Sequence, residues 1–139
     1  MQILMVDDNE DDIDLALRAL RETGVTEEVF VCRDGEEALD YLFSRGRFSG
    51  KPQSELPRLV LLDLKLPKVN GLEVLKEIRT SPTLATLPVV MLTSSSRRSD
   101  LESAYKSGAN SYLIKSTDFS RFKKDIEQMG RYWLGVNQA

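Results

Sequence analysis

The chain has 139 residues, the size of one domain, with 22 acidic and 19 basic side chains and a formal charge of −3. That balance argues against a nucleic-acid footprint, and 41% apolar with 29% charged residues fits a folded globule rather than a disordered chain. There is no histidine and a single cysteine, Cys32, which excludes a disulfide framework within the chain, Cys/His metal clusters and histidine-based catalytic triads.

Met1 to Val6 lacks the basic start and long apolar core of a secretory signal. No apolar run approaches the ~20 residues needed to span a bilayer. The expectation is a cytoplasmic protein, with the free thiol in a reducing compartment and no membrane or nucleic-acid partner.

Ile3 to Val6 reads as a buried strand, cut off by Asp7, Asp8 and Asn9. Ile13, Ala16, Leu17 and Leu20 recur at spacings of three and four, predicting a helix that Gly24 stops. Val29 to Cys32 is a second, weaker strand, and Asp34-Gly35 opens a helix with Ala38, Leu39, Leu42 and Phe43 on one face. Arg45 to Pro57 carries Gly46, Gly50, Pro52 and Pro57 and reads as an extended surface loop, long enough to suggest a role. Leu59 to Leu62 is the strongest strand and ends at Asp63. Gly71 to Arg79 is a helix, Val89 to Leu92 a strand ending at Thr93, and Asp100 to Ser107 a short helix stopped by Gly108. Tyr112 to Ile114 is a strand ending at Lys115, and Phe119 to about Val136 a long last helix. Five strand–helix units with continuous aliphatic strands predict an α/β fold, a parallel sheet covered on both faces by right-handed crossovers.

The chemistry sits at the strand ends. In an open parallel sheet, ligands bind outside the carboxyl ends of the strands, where strand order reverses. Asp7, Asp8, Asp63, Thr93 and Lys115 all fall there. Each alone is an ordinary polar loop residue; the set is hard to obtain by accident. Three carboxylates in one cleft require a cation, and an all-oxygen ligand set selects Mg²⁺ or Mn²⁺ over zinc. Lys115 is a point charge suited to an anionic oxygen, and Thr93 offers a hydroxyl. The group suits a phosphoryl on a carboxylate, with catalysis by positioning and charge neutralisation.

The order Asp7-Asp8, Asp63, Thr93, Lys115 resembles the receiver domain of two-component response regulators. So does Leu61-Leu62-Asp63-Leu64-Lys65-Leu66-Pro67 followed by Asn70-Gly71. The likeness runs over essentially the whole of residues 1–139, so it implies one receiver domain with no output domain. It implies a flavodoxin-like doubly wound (βα)5 sheet of strand order 2-1-3-4-5. Asp63 is then the phosphoacceptor. The metal ligands are Asp8 directly, Asp7 through water, Asp63 and the main-chain carbonyl of Lys65. Thr93 closes on the phosphoryl group, Lys115 pairs with it, and Tyr112 is the switch aromatic, whose bland alternative is a strand-edge ring with a wet hydroxyl. One departure is Ser116, where the family usually has proline after a cis bond.

The resemblance further implies a phosphoprotein rather than a classical enzyme. Its donor would be a sensor histidine kinase or phosphotransfer protein, and its signal the face of the fourth helix, fifth strand and fifth helix acting on a downstream protein. The Arg45–Pro57 insertion and the Trp133-Leu134 ending resemble regulators that partner phytochrome-type kinases. Three other readings stand beside it. An aspartate-nucleophile phosphatase wants an aspartate where Lys65 lies. A flavin module wants a phosphate loop where Asp7 to Asp12 is acidic. A degenerate receiver acting as an unphosphorylated scaffold stays open through Ser116.

The last helix carries Phe119, Phe122, Ile126, Met129 and Trp133 at spacings of three and four. At ~1.5 Å per residue it outruns a short strand, so the turn with Tyr132, Trp133 and Leu134 is expected to overhang the sheet. That points to a homodimer through the fourth-helix, fifth-strand, fifth-helix face, extended by this turn, the alternative being that the turn folds back over the Arg45–Pro57 loop within one subunit.

Overall fold

A computed structural model describes residues 2–52 and 55–136. Five strands form one parallel sheet: β1 (Gln2–Val6), β2 (Glu28–Cys32), β3 (Leu59–Leu62), β4 (Val89–Thr93) and β5 (Ser111–Ile114), in the order β2-β1-β3-β4-β5. The helices are α1 (Glu10–Glu22), α2 (Gly35–Leu42), α3 (Gly71–Thr80), α4 (Arg98–Lys106) and α5 (Phe119–Gly130). Fold class and strand order are those expected.

The period-2 alternation of the strands divides the core in two. Leu4, Val6, Val60, Leu62, Val89 and Met91 face α2, α3 and the α4 residue Ala104. Ile3, Met5, Leu59, Leu61, Val90 and Leu92 face α1 and α5, meeting Ile13, Ala16, Leu20, Phe122, Ile126 and Met129. Central strands are buried on both faces, which is why they read as unbroken aliphatic runs. Asparagine or aspartate side chains cap four of the helices: Asn9, Asp34, Asn70 and Asp118 each accept from a backbone N–H in the first turn.

The expected long last helix is corrected. Its α-helical part stops at Gly130, and residues Arg131–Val136 continue as a wider π-helical coil. Trp133 does not overhang. It is half-buried against the α1/α5 core, and its indole N–H donates to Ser111 Oγ at 3.2 Å. Arg58, just ahead of β3, donates to the Leu134 carbonyl at 2.7 Å and pairs with Glu27. The widened coil turns the segment onto the amino ends of β3 and β5, so Tyr132, at 49% exposure, is its one large exposed apolar side chain among the described residues.

The described part of the Arg45–Pro57 segment holds a short 3₁₀ turn, Gly46–Phe48. Phe48 and Leu56 pack on the core, with Phe48 edge-on to Phe30 and Tyr41. Arg45 and Arg47 tie it to Asp40 and Glu37 on α2.

Candidate functional site

Backbone hydrogen bonds carry the sheet ladder one residue past the strands and so lock the site residues together. The Asp7 N–H donates to Cys32 O at 3.0 Å, the Asp63 N–H to Val6 O at 3.0 Å, and the Lys115 N–H to Thr93 O at 2.7 Å. Strand order reverses between β1 and β3, and Asp7, Asp8 and Asp63 stand at that point. One carboxylate oxygen from each of the three lies within 4.8 Å of the others.

The loop after β3 is held by two glycines at close approach. A Cβ on Gly71 would lie 2.1 Å from the Asp63 carbonyl oxygen, and one on Gly35 would lie 1.8 Å from the Val69 carbonyl oxygen. With no side chain, the Gly71 N–H donates to Leu64 O and the Gly35 N–H to Pro67 O. This pins the Asp63–Lys65 backbone between α2 and α3. The Leu64 N–H donates to Asp63 Oδ1 at 2.7 Å, leaving Oδ2 toward the cleft. Lys65 itself is exposed, on the wall of an open cleft of about 510 Å³ that Asp8 also lines.

Lys115 is the electrostatic centre. Its ammonium donates to Asp7 Oδ2 at 2.6 Å, Asp12 Oδ2 at 2.9 Å and Asp63 Oδ2 at 3.2 Å. Burial pulls its pKa down, but these bonds and charges outweigh it and hold the group charged, above its ordinary value. For Asp7, only 1% exposed, the balance disfavours the charge. Burial raises its pKa, and the bonds from Lys115 and from the Asn9 N–H offset that only in part. The two shifts agree physically: one ammonium gains from three carboxylates, while the three carboxylates share one ammonium.

Thr93 is buried at the end of β4, and its Oγ1 faces the Ser95 N–H at 3.4 Å. The Tyr112 hydroxyl donates to the Ser95 carbonyl at 3.0 Å, and the Ser95 hydroxyl to Asp100 Oδ2 at 2.5 Å. Tyr112 is thus bonded into the β4–α4 loop and not a ring with a wet hydroxyl. The peptide bond from Lys115 to Ser116 is trans, as are all those described, and the Ser116 hydroxyl accepts from the Asp118 N–H ahead of α5. Lys115 reaches the cleft without a proline behind it.

Asp7, Asp8, Asp63 and Lys115 are brought to one cleft, and Thr93 stands beside them at the end of β4, its carbonyl accepting from the Lys115 N–H. Asp12 was missed. It lies in the acidic run after β1, and the signal was its place one helical turn beyond Asp8, at the start of α1. The cleft can hold a hard divalent cation and present an aspartate oxygen to phosphorus beside a fixed ammonium.

Residues 3–127 match the response regulator receiver domain family. The chain is 45% identical over 137 residues to the probable methanogenesis regulatory protein FilR2 of Methanothrix harundinacea, covering 99% of this chain and 86% of that one. It is 36% identical over 132 residues to the response regulator Rcp1 of a Synechocystis strain, covering 95% and 88%. The Mn²⁺-bound form of Rcp1 superposes with a TM-score of 0.87 at 35% identity, over 98% of this chain and 96% of that one. The phosphorylated cyanobacterial phytochrome response regulator RcpA superposes with a TM-score of 0.89 at 38% identity, over 99% and 96%. On the sheet order, the cleft and these matches, the chain belongs to the receiver domain family of two-component response regulators.

Proposed function

We propose that this receiver accepts a phosphoryl group on Asp63 from a partner sensor histidine kinase or phosphotransfer protein, with Mg²⁺ or Mn²⁺ as cofactor. The observation that carries this is Lys115 within 3.2 Å of Asp63 in a cleft where Asp7, Asp8 and Asp63 converge. The oxygen-only donor set fits a hard cation, which Asp7, Asp8, Asp63 and the Lys65 carbonyl would hold; the Mn²⁺-bound form of Rcp1 supports it. The ion, when bound, neutralises charge on the phosphoryl oxygens.

The chain's own part is orientation. In the transfer, an Asp63 carboxylate oxygen bonds to phosphorus as the phosphorus–nitrogen bond of the donor phosphohistidine breaks, the imidazole leaving with the electron pair. Lys115 balances the charge that arrives. Thr93 supplies a hydroxyl donor at the buried end of β4, and its movement toward the phosphoryl group disturbs Ser95, to which Tyr112 is bonded. The altered face is α4, β5 and α5, offered to a downstream protein and to a second copy as a homodimer. A phytochrome-type kinase is the proposed donor, supported by the likeness to RcpA, and the cytoplasm is the proposed place. The receiver assists its own phosphorylation and dephosphorylation without being a classical enzyme.

Incubation with acetyl phosphate, with and without Mg²⁺, followed by intact-mass measurement, tests this. The expected result is one phosphoryl adduct that needs the metal and disappears in Asp63→Asn. An adduct that survives that substitution, or forms equally with a chelator present, overturns the assignment.

A further inference from the structure

Lys115 has three ammonium protons and three carboxylate partners, so its bonding capacity is full. Its two shorter bonds go to Asp7 and Asp12, neither of which is the acceptor. The Asp12 ion pair is with Lys115 alone among the described residues. Its backbone is fixed by the cap of α1, the Asp12 N–H donating to Asn9 Oδ1 at 3.1 Å. A lysine that must turn toward incoming phosphoryl oxygens has to give up one of these partners. Asp7 is buried, and stranding its charge is costly. The Asp12 side chain is 33% exposed at the cleft rim, where water can replace the lysine.

We propose that Asp12 is a positioning residue that holds Lys115 back from the incoming phosphoryl oxygens, and that release of Lys115 from Asp12 accompanies arrival of the phosphoryl group. Asp12 therefore slows phosphoryl acceptance. This rests on the reading of Asp63 as phosphoacceptor and adds to it the residue that governs the lysine.

The test compares wild type, Asp12→Asn and Asp12→Glu at saturating Mg²⁺ with acetyl phosphate. In that reaction the phosphorus–oxygen bond to acetate breaks, an Asp63 oxygen bonds to phosphorus, and acetate leaves with the electron pair. Asp12→Asn is expected to label about twofold to fivefold faster, the range for loss of a partly exposed ion pair. Asp12→Glu, which restores the charge, is expected to return the rate toward wild type. In a Lys115→Gln background Asp12→Asn is expected to bring no gain. A second readout needs no metal. By ¹⁵N NMR of the metal-free protein, the Lys115 ammonium protons are expected to exchange faster with water in Asp12→Asn.

A rate unchanged or slowed in Asp12→Asn overturns the proposal. So does a gain that persists without Lys115, which would mark simple repulsion of the donor, or an ammonium equally protected in both proteins. A wild-type chain that never labels overturns the phosphoacceptor reading and this inference with it; a labelled wild type beside an unmoved variant overturns this inference alone.

Discussion

Asp7 is a carboxylate of the cleft whose charge is penalised by burial. It is almost wholly buried, its carboxyl pKa is raised by that burial, and the nearby Asp63 charge adds to the shift. A group whose pKa is raised on folding contributes stability that is fully present below its unfolded value, about 3.8, and lost as pH rises through the folded value. At neutral pH the metal-free fold therefore carries a charge that it would rather not have. Asp7→Asn keeps the shape and one acceptor oxygen and removes the charge. The metal-free variant is expected to show a higher urea midpoint than wild type at pH 7, with the gain shrinking as pH falls toward 3.8. Equal midpoints at pH 7, or a gain that grows on acidification, would show that Lys115 fully repays the burial. The sequence presents the same group as an acidic residue at a strand end and, by resemblance, a metal ligand through water; its cost appears only when Lys115, far along the chain, is seen to be shared three ways.

The elements that the sequence predicted well are those whose pattern is set locally. β1, β3 and β4 are aliphatic runs bounded by polar residues, and the ladder places Asp7 and Asp63 one step past β1 and β3, Thr93 at the last residue of β4 and Lys115 one step past β5. The end of α5 was not legible for the opposite reason. The spacing from Phe119 to Trp133 suits an α-helix, but the backbone widens after Gly130 because Trp133 and Leu134 find Ser111 and Arg58, contacts made at long sequence separation. Asp12 escaped for the same reason, since its partner lies on the far side of the sheet order. The C-terminal coil is thus part of the fold of one subunit. Trp133→Ala removes a half-buried indole and its bond to Ser111, and is expected to lower unfolding free energy by about 2–3 kcal/mol in chemical denaturation. Its mass by sedimentation is expected to match wild type. A variant as stable as wild type would show that the coil is only laid on the surface.

For the whole molecule, the docking of Trp133 and Leu134 onto their own chain leaves the proposed dimer contact on α4, β5 and α5, without the terminal turn. There the largest exposed apolar side chains are Tyr105 on α4, at 46% exposure, and Ile114 on β5, at 43%. Ile114 borders an open groove of about 370 Å³ between β5 and α5, walled by Tyr112, Leu113, Arg121 and Asp125. Opposite charges one turn apart on the α5 wall suit a two-fold contact, in which each copy presents Arg121 to Asp125 of the other. The groove shares Tyr112 with the β4–α4 loop, so a phosphoryl group that draws Thr93 inward alters one wall of it. Self-association is therefore expected to tighten on phosphorylation of Asp63. Ile114→Asp places a charge in the apolar centre of the contact while leaving the cleft intact. By sedimentation velocity it is expected to stay monomeric with and without acetyl phosphate, while its labelling at Asp63 proceeds at the wild-type rate. A wild-type chain that is monomeric at tens of micromolar in both states would end the dimer reading, and an Ile114→Asp chain that still associates would place the contact on another face.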